Sequence, residues 1–126
     1  MGDDIVQGWA AARAEELPEA DVDQPFGPEV DVFRVRGKMF MALSRSTGEP
    51  IVTLKASPPD AEALRSSFPA IIPGYHMNKK HWVTLRSDGS LPQDLVEELV
   101  TEAYRLVVAS LPKAQRPVDP EVFGRI

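Results

Sequence analysis

The chain has 126 residues, a formal net charge of -5 and 43% hydrophobic residues, one domain's worth of material with enough apolar content for a single core. It contains no cysteine, so disulfides, thiolate metal sites and cysteine nucleophiles are excluded, and a reducing compartment is the natural expectation. The start, MGDDIVQGWAAARAEELPEA, has no basic leader and no unbroken apolar run, and no stretch reaches the length of a membrane span; a soluble, cytoplasmic protein is expected, a monomer by default.

The first predicted element is a helix over residues 3–16. Ile5, Trp9 and Leu17, with Val6 beside them, form one apolar stripe. Asp3 and Asp4 sit where the helix dipole favours negative charge, and Pro18 ends the element. The acid- and proline-rich passage PEADVDQPFGPEVD that follows reads as a loop.

Strands come next. In VFRVRGKMFMAL, Phe33, Val35, Met39, Met41 and Leu43 share one parity while Arg34, Arg36 and Lys38 share the other, the alternation of a half-buried strand. Gly37 marks either a bulge or a tight turn. RSTGEP is a turn, and Ile51–Lys55 completes a three-stranded antiparallel meander.

SPPDAEAL then opens a short helix, with Ser57 as cap, Pro58 in the first turn and Asp60 closing a capping box. HWVTLR is a fourth strand. After SDGS, Ser90 and Gln93 match a second capping box. Leu95, Leu99, Ala103, Leu106 and Val107 give the apolar stripe of a long helix running to about Ser110, stopped by Pro112. Residues 114–126 are a possible loosely packed tail of the single domain 1–126. The pattern predicts an α+β fold. It is a mainly antiparallel sheet of about four strands, with an N-terminal helix, a short middle helix and a long C-terminal helix packed on one face.

Charge is unevenly distributed. Residues 1–32 carry nine acids and one base, residues 33–90 nine bases and four acids, and residues 91–126 six acids and four bases. The middle segment is therefore cationic inside an acidic chain, and it contains GYHMNKKHWVTLR (74–86), where both histidines lie. These histidines, His76 and His81, are five residues apart without a nucleophile elbow, H-E-x-x-H spacing or phosphate-binding glycine loop. No catalytic constellation, metal or cofactor is therefore predicted. Lys79, Lys80 and Arg86, with Arg34, Arg36, Lys38 and Lys55, are candidates for one phosphate-neutralising surface. Tyr75, His81 and Trp82 either stack on a ligand or fill core, the core role suiting Trp82 better. Asn78 either reads a base edge or caps a turn. Tyr104 is expected to pack beside the stripe of the long helix with its hydroxyl on a buried partner.

The blocks QPFG (24–27), VRGKMFMAL (35–43), IVTLK (51–55), PGYHMNKKHW (73–82), LPQDLVEELV (91–100) and AYRLVVASLPK (103–113) together resemble the MmcQ/YjbR family, small bacterial proteins with a DNA-binding-like fold of double-wing type. The resemblance spans roughly residues 17–113. It implies an α+β fold and marks Gly37, Lys38, Phe40, Lys55, Met77, Asn78, Lys79, His81, Trp82 and Tyr104. Lys80 stands where the family commonly has arginine, which keeps charge but loses a planar fork. Ala103 stands where it often has serine.

The leading expectation is a non-enzymatic, DNA-binding-like protein making weak, largely sequence-independent phosphate contacts. Arg34, Arg36, Lys38, Lys55, Asn78, Lys79, Lys80 and His81 would make them, with Tyr75, Trp82 and Tyr104 as aromatic support. The rival is a module for a small anionic ligand or a protein, with a pocket around Lys38, Lys55, Asn78, Lys79 and His81. There Lys38 and Lys55 point the same way from paired strands. An enzyme using His81 is a third and less supported reading.

Overall fold

In the computed structural model residues 4–75 and 77–124 are described. Asp3 and His76, both invoked above, lie outside them. The elements are α1 (Ile5–Glu15), β1 (Ala20–Asp23), β2 (Val30–Val35), β3 (Lys38–Ser44), β4 (Ile51–Lys55), α2 (Pro58–Ser67), β5 (Ile71–Pro73), β6 (Trp82–Arg86), α3 (Gln93–Ala109) and a short 3-10 turn at Lys113–Gln115. The sheet order is β1-β2-β3-β4-β6-β5, and every neighbouring pair is antiparallel.

The fold is α+β as expected, with six strands rather than about four. The two unforeseen strands are the sheet's edges. β1 lies inside the passage that reads as a loop, and it carries Asp21 and Asp23 on a mostly exposed strand, charges that deter edge-to-edge pairing. β5 has three residues and ends in Pro73, which cannot donate to a ladder and so belongs at an edge. β1 is too polar, and β5 too short, to show an apolar alternation.

The meander of β2, β3 and β4 forms as the alternation predicts. Arg36 and Gly37 both take positive φ, 52° and 80°, and make the two-residue turn between β2 and β3, so Gly37 marks a tight turn. A bulge falls instead at Phe40: Phe33 pairs with Met41 and Arg34 with Met39. The extra residue turns Phe40 and Met41 both into the core, where neither is exposed. Met39 consequently shares Arg34's face, not Phe33's as the simple alternation predicts.

Both α1 and α3 cover one face of the sheet, packing on each other and on β4, with α3 also on β3. The buried face of α1 is Val6, Ala10 and Ala14, whereas Ile5 is exposed and Trp9 only half-buried. The alanines allow close approach to α3. Gln7 also turns inward, its amide donating to the Ser44 and Ile51 carbonyls at 3.1 and 3.0 Å, which pins the helix across β3 and β4. On α3 the fully sequestered positions are Val96, Val100, Ala103, Tyr104 and Val108, while Leu95, Leu99 and Leu106 flank them. The stripe is rotated from the predicted one because Tyr104 lies at its centre. Its ring meets Phe40 edge-on at 5.6 Å, and its hydroxyl donates to the Pro18 carbonyl at 2.7 Å.

Ser57 caps α2 as predicted, accepting from the Asp60 amide. The second capping box does not form: α3 begins at Gln93 with Pro92 at the cap position and no side-chain cap, so Ser90 lies two residues ahead of the cap and its hydroxyl instead donates to Asp88 at 2.6 Å. Beyond α3, Arg116 donates to the Ala109 and Leu111 carbonyls. Arg105, buried, donates to the Pro120 carbonyl through Nε and Nη2, and Phe123 lies 5.5 Å from the Tyr104 ring. No helix among the described residues is long and apolar enough to cross a membrane.

Candidate functional site

With both long helices on one side, the other side of the sheet is left to two loops. Register assigns that face to Val32 and Arg34 of β2, Met39, Ala42 and Ser44 of β3, Ile51 and Thr53 of β4, and Thr84 of β6. Val32, Ile51, Thr53 and Thr84 are nonetheless buried. The loop 24–29 brings Phe26 to this face, and the loop 74–81 brings Tyr75 and Met77.

Between the loops lies a groove of about 380 Å³, walled mainly by carbon. Val32, Ile51 and Thr53 form its depth and half-buried Met39, Ala42 and Met77 its flanks, while the lips are Phe26, 75% exposed, and Tyr75, 41% exposed. Its polar side-chain groups are few: the hydroxyls of Ser44, Ser46, Thr53 and Tyr75 and the guanidinium of Arg34. That composition, mostly apolar with a small number of orienting groups, is typical of small-molecule sites.

The loop 74–81 is held by a dense set of bonds. Gly74 packs against Trp82, and a Cβ there would stand 2.6 Å from the Trp82 Cβ. The Tyr75 amide donates to the Thr84 hydroxyl at 2.9 Å, and that hydroxyl bonds Thr53 Oγ1, also at 2.9 Å. Lys79 Nζ folds back to donate to the Gly74 carbonyl at 2.9 Å, and the Asn78 side chain accepts from the Lys80 amide at 2.8 Å. The His81 carbonyl in turn accepts from the Ala56 amide. Much of the motif at 74–82 thus shapes the loop that forms one lip.

The predicted cationic residues divide. Arg34 is ion-paired with Asp23, and Arg36, in its turn, with Glu19 at 3.0 Å. Arg86 pairs with Glu49 at 3.2 Å. Lys55 stands over the Trp82 ring, 5.3 Å from its centroid. Lys38, Lys80 and His81 are exposed, and their side chains have no ion pair or hydrogen bond among the described residues. Antiparallel register puts the start of β3, the end of β4 and the start of β6 at the same end of the sheet, which gathers Lys38, Lys55, Lys80 and His81 there. Lys38 and Lys55 leave opposite faces, however: Lys38 pairs with core-facing Val35, and Lys55 shares the parity of Thr53. The bulge at Phe40 is the reason.

Trp82 is buried as expected, but on the face away from the helices, beside Gly74. Tyr104 is a core residue on the helix side. Burial, with Glu19 adding to it, pushes its hydroxyl up to about 12. Ala103 is fully buried beside it, in the position where the family often has serine. Of the residues singled out as contacts or aromatic support, Arg34 and Tyr75 line the groove, as does Met77, which the resemblance marks. Among the described residues no cluster of three or more histidine, aspartate or glutamate side chains could hold a metal ion.

An antiparallel sheet with its helices on one face and a loop-bounded apolar groove on the other defines an α+β protein. The family model named YjbR matches residues 15–106. Among similar proteins, the uncharacterized YbdF of Escherichia coli O157:H7 is 41% identical over 112 residues, covering 88% of this chain and 92% of that one. The uncharacterized YjbR of Escherichia coli K12 is 37% identical over 83 residues, 66% of this chain and 70% of its own. The crystal structure of Deinococcus radiodurans DR2400, a DUF419-domain protein, superposes with a TM-score of 0.81 at 34% identity, covering 91% of this chain and 90% of the other. The chain belongs to the YjbR family.

Proposed function

We propose that the chain is a non-catalytic binding protein whose site is the groove between Phe26 and Tyr75, taking a small, largely apolar molecule. The observation that carries this reading is the groove itself. A sheet face with no helix on it keeps an open, carbon-lined depression of about 380 Å³, within the range of small-ligand clefts. This differs from the expected pocket for a small anionic ligand or a protein around Lys38, Lys55, Asn78, Lys79 and His81, since none of these lines the groove.

Fluorescence titration with anilinonaphthalene sulfonate tests it. The folded protein should bind the dye saturably. Ala42→Leu, which adds bulk within the groove, should weaken binding about tenfold while leaving the circular dichroism and melting temperature close to wild type. Saturable binding indifferent to the Leu side chain would place the dye elsewhere and remove the reading.

A second reading has its own observation. Lys38, Lys55, Lys80 and His81 share one end of the sheet and none is tied to a carboxylate among the described residues, an arrangement suited to weak phosphate contact. On this reading the chain binds duplex DNA without sequence preference, and log affinity falls against log salt with a slope of about -0.9 per phosphate contacted. The ion pairs that engage Arg34, Arg36 and Arg86, together with the net charge of -5, make it the weaker of the two. Absence of binding to labelled duplex at low salt eliminates it.

A further inference from the structure

Among the described residues, Arg34 is the one lysine or arginine that lines the groove. Its side chain is 26% exposed, and among the described residues it bonds only Asp23, through Nη1. A guanidinium presents five N–H donors in a planar fork, so most of its donor capacity is left over. Asp23 is 55% exposed on the edge strand β1. It shows which chemistry this cation accepts, a carboxylate. It is also a partner that can be exchanged, because an exposed ion pair holds its two ends together only weakly.

We infer that the groove selects monocarboxylates with an apolar body, the ligand's carboxylate taking the Arg34 fork in place of Asp23 and its body lying along Met39, Ala42 and Ile51. The inference rests on the proposed groove function and narrows it to one chemical class. Two features favour a single negative charge over a phosphate monoester. The groove supplies one guanidinium, and Asp21, the register partner of Arg34 on β1, adds a carboxylate at that end which repels a dianion more strongly than a monoanion. A carboxylate matches the fork bidentately, at short range, where exposed acids several ångströms away are screened by solvent. The loops on either side limit the occupant to a small molecule.

The test compares decanoate with decanol by calorimetry or by displacement of anilinonaphthalene sulfonate. Wild-type protein should bind decanoate about tenfold or more tightly than decanol, the scale of one charge-assisted pair. Arg34→Gln should erase that preference by weakening decanoate binding to the level of decanol. Asp23→Asn, which frees the fork without touching the groove, should strengthen decanoate binding several-fold and serves as the gain-of-binding control if Arg34→Gln lowers stability. Equal binding of decanoate and decanol, unchanged in both variants, overturns the inference and leaves the groove function standing. Failure of both compounds to bind overturns both.

Discussion

The Tyr75 backbone amide donates to the side-chain hydroxyl of Thr84 at 2.9 Å. That hydroxyl, unexposed on the helix-free face, also bonds Thr53 across β4 and β6. One pair of threonines therefore does two jobs. It joins adjacent strands, and it holds the first residue of the lip that closes the groove.

Thr84→Val keeps the shape and removes the hydroxyl. A buried Thr53 hydroxyl and the Tyr75 amide each lose a partner, at an expected cost of about 1–3 kcal/mol. Chemical denaturation measures that cost, and exchange of the Tyr75 amide should accelerate beyond what the global loss explains. The double variant with Thr53→Val should recover part of the stability, because the orphaned hydroxyl is gone, yet leave the Tyr75 amide fast. An unchanged Tyr75 exchange rate would show that the loop is held by other contacts.

Gly74 is required for a different reason. Its hydrogen faces the Trp82 Cβ where an added Cβ would sit at 2.6 Å, closer than side-chain carbons approach. Both neighbours are held by a ladder bond, Gly74 N–H to the Trp82 carbonyl at 3.1 Å, so the strain cannot be relieved by moving a flexible side chain. Gly74→Ala should cost about 1–3 kcal/mol and broaden the signals of the loop 74–81. A variant as stable as wild type would show that β5 and β6 can separate at that point.

What could be read from the sequence follows from how local the signal is. Ser57 with Asp60, and the alternation in VFRVRGKMFMAL, are confined to a few neighbours, so the cap of α2 and the β2–β3 hairpin were legible. Tyr104 was legible because an aromatic beside an apolar helical stripe has few other places to go. The Phe40 bulge was not, since an added residue leaves the hydrophobic string unbroken while reversing the face of every position before it. The groove is signalled only indirectly, by the run Ile51, Val52, Thr53 and Leu54, apolar or β-branched without a break. A strand that reads as a continuous run is covered on both sides, and here all four are buried. The same holds for Trp82 to Leu85. Such runs mean that the sheet's second face is also partly closed. The charged stretch at 74–82 drew attention to ligand contact, whereas Asn78 and Lys79 bond their own loop.

Tyr104 gives a pH dependence with a definite sign. Burial raises its hydroxyl from the ordinary value near 10 to about 12, so the folded chain holds that proton after the unfolded chain has lost it. The stabilisation is present in full below pH 10 and is lost as pH rises through about 12, a fall of roughly 1–3 kcal/mol across the window. Lysines also titrate there, so the informative quantity is the difference between wild type and Tyr104→Phe. That difference should shrink steadily from pH 10 upward. A difference independent of pH would mean the hydroxyl is not sequestered.

The arginine ion pairs bear on the DNA reading separately. Glu49→Gln should free Arg86 and, if phosphate contact is the function, increase duplex affinity at low salt and steepen the salt slope by about one contact, roughly 0.9. Direct titration of the variant checks this. No change in a protein that does bind duplex would confine the contact to the lysine end of the sheet.

An amide chemical-shift map recorded during titration with decanoate bears most directly on where a ligand sits. Saturating shifts should appear at Val32, Met39, Ala42, Thr53 and Met77, with the largest change at the Arg34 side chain and little at Lys38, Lys80 or the α1–α3 surface. A map centred on the lysine end of the sheet, or one showing no saturable shifts, would contradict the groove as the working site.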